Sequence, residues 1–153
     1  FCDDLGVKRS VLATKPTLTN LQYKQLVKYA KRLKKGMPLS VALGQTEFYG
    51  LPIKVNKHVL TPRAETEELT DYVIKQLQDN ANAKVLDLCC GSGAIGIAIA
   101  KNIQTSVTCV DISRHAIKTT RKNAKLNGVN IKVIKRERKF MIKLSKMLLN
   151  TLT

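Results

Sequence analysis

The stretch from Asp87 to Gly96 holds the residues of this chain best placed to do chemistry. Gly91-Ser92-Gly93-Ala94-Ile95-Gly96 has the spacing G-x-G-x-x-G, follows an apolar run and opens a helical one. Glycines at those places allow a tight turn and let the backbone come close to a ligand. Asp111 lies twenty residues beyond Gly91, at the end of the next apolar run. Its carboxylate can accept hydrogen bonds from both hydroxyls of an adenosine ribose. Two ligands satisfy these features, a dinucleotide and S-adenosyl-L-methionine. Asp87, four residues ahead of Gly91, separates them. A carboxylate beside the loop repels a pyrophosphate, whereas it favours an α-ammonium and a sulfonium. A blander role, capping loop amides, is compatible with the same fold. The candidate cofactor-binding set is therefore Asp87, Cys89, Cys90, Gly91, Ser92, Gly93 and Asp111, with the methyl donor favoured.

The cysteines ask for less. Cys89 and Cys90 are small enough for the turn and have no general base in the local sequence, so both read as packing residues. Cys2, Cys89, Cys90 and Cys109 show no C-x-x-C, and the chain has two histidines. No metal site is expected, and reduced, buried thiols in a cytoplasmic protein are.

Around the loop the residue pattern predicts an alternating α/β arrangement. Val85–Cys89 reads as a strand, Ala94–Lys101 as a helix, Ser106–Val110 as a strand, 114–126 as a helix capped by Ser113 and stopped by Asn127-Gly128, and Asn130–Ile134 as a third strand. A βαβαβ order with short connections means a parallel, doubly wound sheet. Upstream, 18–34 is expected to form an amphipathic helix whose apolar face carries Leu18 or Leu21, Gln22, Leu26, Tyr29, Ala30 and Leu33. A short helix at 38–43 follows, ended by Gly44. Glu47–Tyr49 and Ile53–Val55 read as strands of a hairpin around Gly50-Leu51-Pro52. Thr61-Pro62 is expected to cap and begin a helix with Glu65, Glu67 and Glu68 near its positive end and Leu69, Val73 and Leu77 as its apolar stripe.

The chain of 153 residues has a net charge of +16. That excess points to a polyanionic partner, with non-specific RNA contact more plausible than sequence readout. No apolar run approaches eighteen residues, so no membrane span is expected. The start at Phe1 does not read as a signal peptide and looks cut from something longer.

Val85–Gly96 and Val110–Ser113 resemble motifs I and II of class I methyltransferases. More specifically, Leu43–Pro52 followed by Val59–Glu67 resembles the linker hairpin and the Pro-Arg-Pro-Glu-Thr-Glu segment of the HemK-type release-factor glutamine methyltransferases. The resemblance covers about residues 18–134. It implies a small helical N-terminal domain, a β-hairpin linker and a Rossmann-like catalytic domain. It also implies methyl transfer from S-adenosyl-L-methionine to the side-chain amide nitrogen of the glutamine in the Gly-Gly-Gln motif of peptide chain release factors. On this reading the domains are 1–44, partial and helical; 45–60, the hairpin; 61–134, the cofactor-binding portion; and 135–153, a basic tail.

Three departures from the family pattern stand out. Cys89 occupies a position usually held by Gly and is expected to avoid positive φ. Ala64 replaces a Pro. No Asn-Pro-Pro-Tyr follows the third strand, and no Pro at all follows Pro62. In the family that motif holds the glutamine amide against the methyl group. No catalytic residue is therefore assigned, and the chain is expected to be truncated and inactive. The tail places Phe140, Met141, Leu144, Met147, Leu148 and Leu152 near one helical face, which reads better as aberrant sequence than as a membrane or RNA helix. Two other functions fit parts of the chain, a nucleic-acid base methyltransferase and a non-catalytic basic RNA-binding module.

Overall fold

Thr19 starts the first helix through a capping box: its hydroxyl accepts the Gln22 N–H, while the Gln22 side chain takes the Thr19 N–H. The computed structural model describes residues 17–80, 82–140 and 142–144. The chain divides into two units, Phe1–Gln45 and Thr46–Thr153.

In the first unit α1 (Asn20–Lys34) is followed by α2 (Leu39–Leu43), which Gly44 ends in a left-handed conformation. The Arg32 guanidinium donates to the Ala42 carbonyl at 2.7 Å and joins the two. The expected apolar face of α1 is only partly formed. Tyr29 is buried, but Leu21, Ala30 and Leu33 are exposed. A five-residue helix spans about 8 Å and α1 about 22 Å, so α2 has too little surface to cover that face.

The second unit opens with a hairpin, β1 (Gln45–Phe48) and β2 (Leu51–Lys54). Its turn lies one residue earlier than the sequence predicts. Tyr49 and Gly50, with φ of 52° and 71°, form the two-residue loop, as twisted hairpins favour. Leu51 and Pro52 thereby fall inside β2, where an edge strand tolerates proline. Next comes α3 (Glu65–Leu77), which starts three residues beyond Pro62. Thr61 and Pro62 neither cap nor begin it, and Ala64 precedes it without a side-chain cap. Its buried face runs through Thr70 and Ile74 rather than Leu69, which is exposed.

Then β3 (Lys84–Leu88), α4 (Ala94–Asn102), β4 (Ser106–Asp111), α5 (Arg114–Leu126) and β5 (Lys132–Lys135) alternate. The sheet order is β3-β4-β5, all parallel, with Asp87 beside Cys109 and Val110 beside Ile134. Both crossovers step the same way along the sheet, so right-handedness places α4 and α5 on one face. There Val85, Val107, Cys109 and Val133 pack with Ile95 and Ile99 of α4 and Ile74 of α3. A second cluster joins Ile97 and Ala98 of α4 to Phe48 and Ile53 of the hairpin and Ala124 of α5. The third strand begins at Lys132 instead of Asn130. Beyond it residues 138–140 and 142–144 are helical. Much of the expected tail stripe, Met141 and everything past Leu144, lies outside the described residues. No helix among the described residues is long and apolar enough to cross a membrane.

Candidate cofactor site

The loop from Cys89 to Gly93 joins the carboxyl end of β3 to α4. Parallel β-strands present their ligand crevice at this end. The three glycines of the Gly91–Gly96 motif, two in the loop and one in α4, do three different things. Gly91 (φ 56°) is open on the side where a Cβ would stand, with no atom closer than 3.9 Å. At Gly93 (φ 79°) a Cβ would lie 2.5 Å from the Thr120 methyl group of α5. At Gly96 it would lie 2.6 Å from Cys109 Sγ and 3.1 Å from Asp87 Oδ2. Gly91 therefore leaves room for a ligand, Gly93 admits α5, and Gly96 brings α4 against the sheet.

Two carboxylates flank the loop. Asp111, 8% exposed, accepts the Gly91 N–H on Oδ2 at 2.9 Å and the Ser113 N–H on Oδ1 at 2.8 Å. It thus ties the loop to the start of α5, and each oxygen keeps further lone-pair capacity. Asp87 Oδ2 accepts the Gly96 N–H at 3.1 Å in the first turn of α4. Cys109 Sγ approaches the same oxygen at 3.7 Å. Burial pushes the Asp87 carboxyl above its ordinary pKa, against the opposing pull of the Gly96 N–H and Cys109, with the charge of Asp111 adding to the rise. Asp87 Oδ2 thus takes an N–H of the first turn of α4, close to the blander capping role expected of it.

The other loop residues separate by burial. Cys90 is buried, its N–H donating to Val110 and its sulfur lying 3.5 Å from Thr120 Oγ1. Ser92 is also buried. Cys89 departs from expectation twice: it is exposed, and it adopts φ of 60°. The tight turn needs a left-handed residue there whatever the side chain, and an L-residue in that region costs about 1–2 kcal/mol. Cys109 is held as a thiol by its hydrogen bond to Cys90, by burial and by Asp87. Among the described residues no group of His, Cys, Asp and Glu could hold a metal.

Asn123 of α5 is the residue that sequence reasoning missed. Fully buried, it donates to the Ser92 carbonyl at 2.9 Å and to the Lys54 carbonyl at 3.0 Å, and accepts the Lys54 N–H at 2.8 Å. One side chain thus fastens the loop, the hairpin and α5 together. Asn127 repeats the device one turn later, donating to the Pro52 carbonyl at 3.0 Å. The signal was legible: Thr120, Asn123 and Asn127 recur among Ala116, Ile117 and Ala124 on the inward face of a helix. Buried amides at such spacing must find partners. Glu67, in the Thr61–Glu67 segment, accepts the Tyr49 N–H at 3.0 Å and so fixes the hairpin turn. Tyr49 donates its hydroxyl to Asp71 at 2.9 Å. The exposed rings of His58 and His115 stack 4.1 Å apart.

Residues 62–149 match the methyltransferase small domain family. The chain belongs to that family. The match runs past β5 into residues 135–149, where the tail was expected to leave the fold. A release factor glutamine methyltransferase of Flavobacterium psychrophilum is 42% identical over 130 residues, covering 82% of this chain and 46% of its own length. The protein of the same name from Borreliella burgdorferi is 41% identical over 111 residues, covering 72% and 39%. The chain therefore spans somewhat less than half the length of these curated relatives. Among solved structures, the Pyrococcus abyssi tRNA (uracil-54, C5)-methyltransferase in complex with S-adenosyl-L-homocysteine superposes with a TM-score of 0.51 at 21% identity. It covers 61% of this chain and 23% of its own, and speaks for the Rossmann-like methyltransferase fold alone.

Proposed function

We propose that this chain is the S-adenosyl-L-methionine-binding portion of a release-factor glutamine methyltransferase. One observation carries the choice of cofactor. The loop's glycine N–H groups are already engaged: Gly91 with Asp111, Gly93 with the Cys90 carbonyl, and Gly96 with Asp87. A pyrophosphate needs such groups free at a helix N-terminus. Here that terminus faces a carboxylate instead. The arrangement suits a cationic cofactor. Asp111 would hold the ribose hydroxyls, Asp87 would face the ammonium and sulfonium charges, and the open side of Gly91 would admit the cofactor. Ile112, 51% exposed next to Asp111, offers an apolar surface for adenine. When bound, the cofactor supplies an electrophilic methyl group.

The substrate reading rests on the relatives' names and on the Leu43–Glu67 segment. It is the glutamine of the Gly-Gly-Gln motif in peptide chain release factors, methylated on its side-chain nitrogen. An amide nitrogen is a weak nucleophile, so positioning and hydrogen bonds to the amide supply most of the acceleration. The 153 residues contain no Asn-Pro-Pro-Tyr to do this. We therefore assign them cofactor binding without methyl transfer. The three free thiols among the described residues, Cys89, Cys90 and Cys109, support a cytoplasmic setting.

Isothermal titration should show binding of S-adenosyl-L-methionine and none of NAD; the reverse preference overturns the cofactor assignment. Incubation with labelled cofactor and a purified release factor should leave the factor unlabelled, and robust labelling overturns the inactivity of these residues alone.

A further inference from the structure

We propose that the groove between α5 and β5 is a docking surface for the phosphate backbone of RNA. Its walls are Arg114, Lys118, Arg121, Lys122, Lys125 and Lys135, and its floor is the buried Ile117, around a volume of about 580 Å³. No carboxylate lines it. All six cations are exposed, and none forms an ion pair among the described residues.

The sequence of α5 shows why the charge sits there. Its thirteen residues include five Lys or Arg and no Asp or Glu. Arg114, Lys118, Arg121, Lys122 and Lys125 recur at intervals of three and four, which stacks them on one face. The opposite face is spent on Asn123, Thr120 and Ala124. Helix stability does not call for this pattern. Like charges at i,i+4 repel, and a cation in the first turn opposes the helix dipole, yet Arg114 stands there. From Arg114 to Lys125 the stripe runs about 16 Å. A strand advances about 3.4 Å per phosphate along a duplex axis, so the stripe faces roughly five phosphates. The groove has no aromatic residue on which bases could stack, which favours a duplex backbone over splayed single strands. RNA is preferred to DNA because the proposed substrate belongs to translation, and that preference alone rests on the function proposed above.

The test is fluorescence anisotropy of a labelled 16-base-pair RNA duplex against the full chain, across salt concentration. Two triple variants with equal net charge are compared: Lys118→Glu, Lys122→Glu, Lys125→Glu in the groove, and Lys24→Glu, Lys28→Glu, Lys31→Glu on α1. Circular dichroism checks folding, and glutamine replacements serve where the glutamates unfold the helix. The groove variant should lose at least tenfold in affinity and shed about 2–3 from the log–log salt slope. The α1 variant should lose less than threefold. Equal losses in both would reduce the effect to bulk charge and overturn the docking surface. So would tighter binding of a DNA duplex of the same sequence, or of an acidic peptide.

Discussion

The two faces of the three-stranded sheet are finished differently. Toward α3 and α4, Val107 and Cys109 are only 2% and 0% exposed, and Gly96 lets the helix touch the strand. On the other face stand Leu86, Thr108 and Ile134, and none of α3, α4 or α5 lies there. Leu86 is 45% exposed and the other two are half-buried; only Val110 of that face is buried. The covered face is assembled from segments adjacent in sequence, each strand handing over to the helix that packs on it. It also carries Asp87, whose carboxylate holds the Gly96 N–H just beyond the candidate cofactor loop. The difference teaches that, among the described residues, one face of the sheet is closed by helices and the other is left open.

The sharpest way to break that contrast is at Asn123. Asn123→Leu keeps the volume but leaves the Ser92 and Lys54 groups without partners. At about 1–3 kcal/mol for each buried unsatisfied group, the loss should reach roughly 3–5 kcal/mol by urea denaturation. A loss below about 1 kcal/mol would show that the loop is fastened elsewhere. The open face should respond next. An exposed leucine is worth about 1.5–3 kcal/mol when buried, so the chain is expected to self-associate and Leu86→Lys to shift it toward monomer by tenfold or more. Sedimentation showing a wild-type monomer that the substitution leaves unchanged would count against this.

Asp87→Asn should separate binding from stability. Asparagine still accepts the Gly96 N–H, but the charge facing the proposed cofactor is gone. Affinity for S-adenosyl-L-methionine should fall about tenfold, the size of one charge-assisted contact. Stability should move the other way. With its pKa raised by burial, Asp87 contributes stability that is fully present below the ordinary carboxylate range and lost as pH rises through its folded value. The variant should therefore be at least as stable as wild type at neutral pH, with a flatter acid-side profile. A variant that is destabilised at pH 7 while retaining full affinity would make Asp87 a helix cap only. The smallest effect belongs to Cys89→Gly. Relief of the left-handed strain, less glycine's added entropy in the unfolded chain, should stabilise by about 0.5 kcal/mol, readable as a small rise in the urea midpoint at constant slope.

Much of this was legible in the residues themselves. Three parallel strands around a glycine loop, the Ser113 cap and the Asn127-Gly128 stop follow from local rules, and apart from the start of α3, three residues late, the observed elements differ at their ends by a residue or two. The misses share a cause. The hairpin turn moved because Glu67 and Asp71, far along the chain, hold Tyr49 from outside the hairpin. On α3 the apolar stripe failed because burial depends on what is opposite, and Thr70 faces the core while Leu69 does not.

The sequence alone determined the order of elements, the identity of the loop and the acids on either side of it, because strand-helix alternation and glycine spacing are local properties. It also showed a large excess of positive charge without placing it on one surface. Only the tertiary structure decided which N–H each carboxylate holds, and it adds the engaged glycine N–H groups to the case that Asp87 already made in the sequence against a pyrophosphate. It alone decided that Cys89 must take a left-handed conformation, and that the cations of α5 converge with Lys135 on one groove. Those outcomes depend on groups up to 75 residues apart meeting at hydrogen-bond distance, which no pattern along the chain encodes.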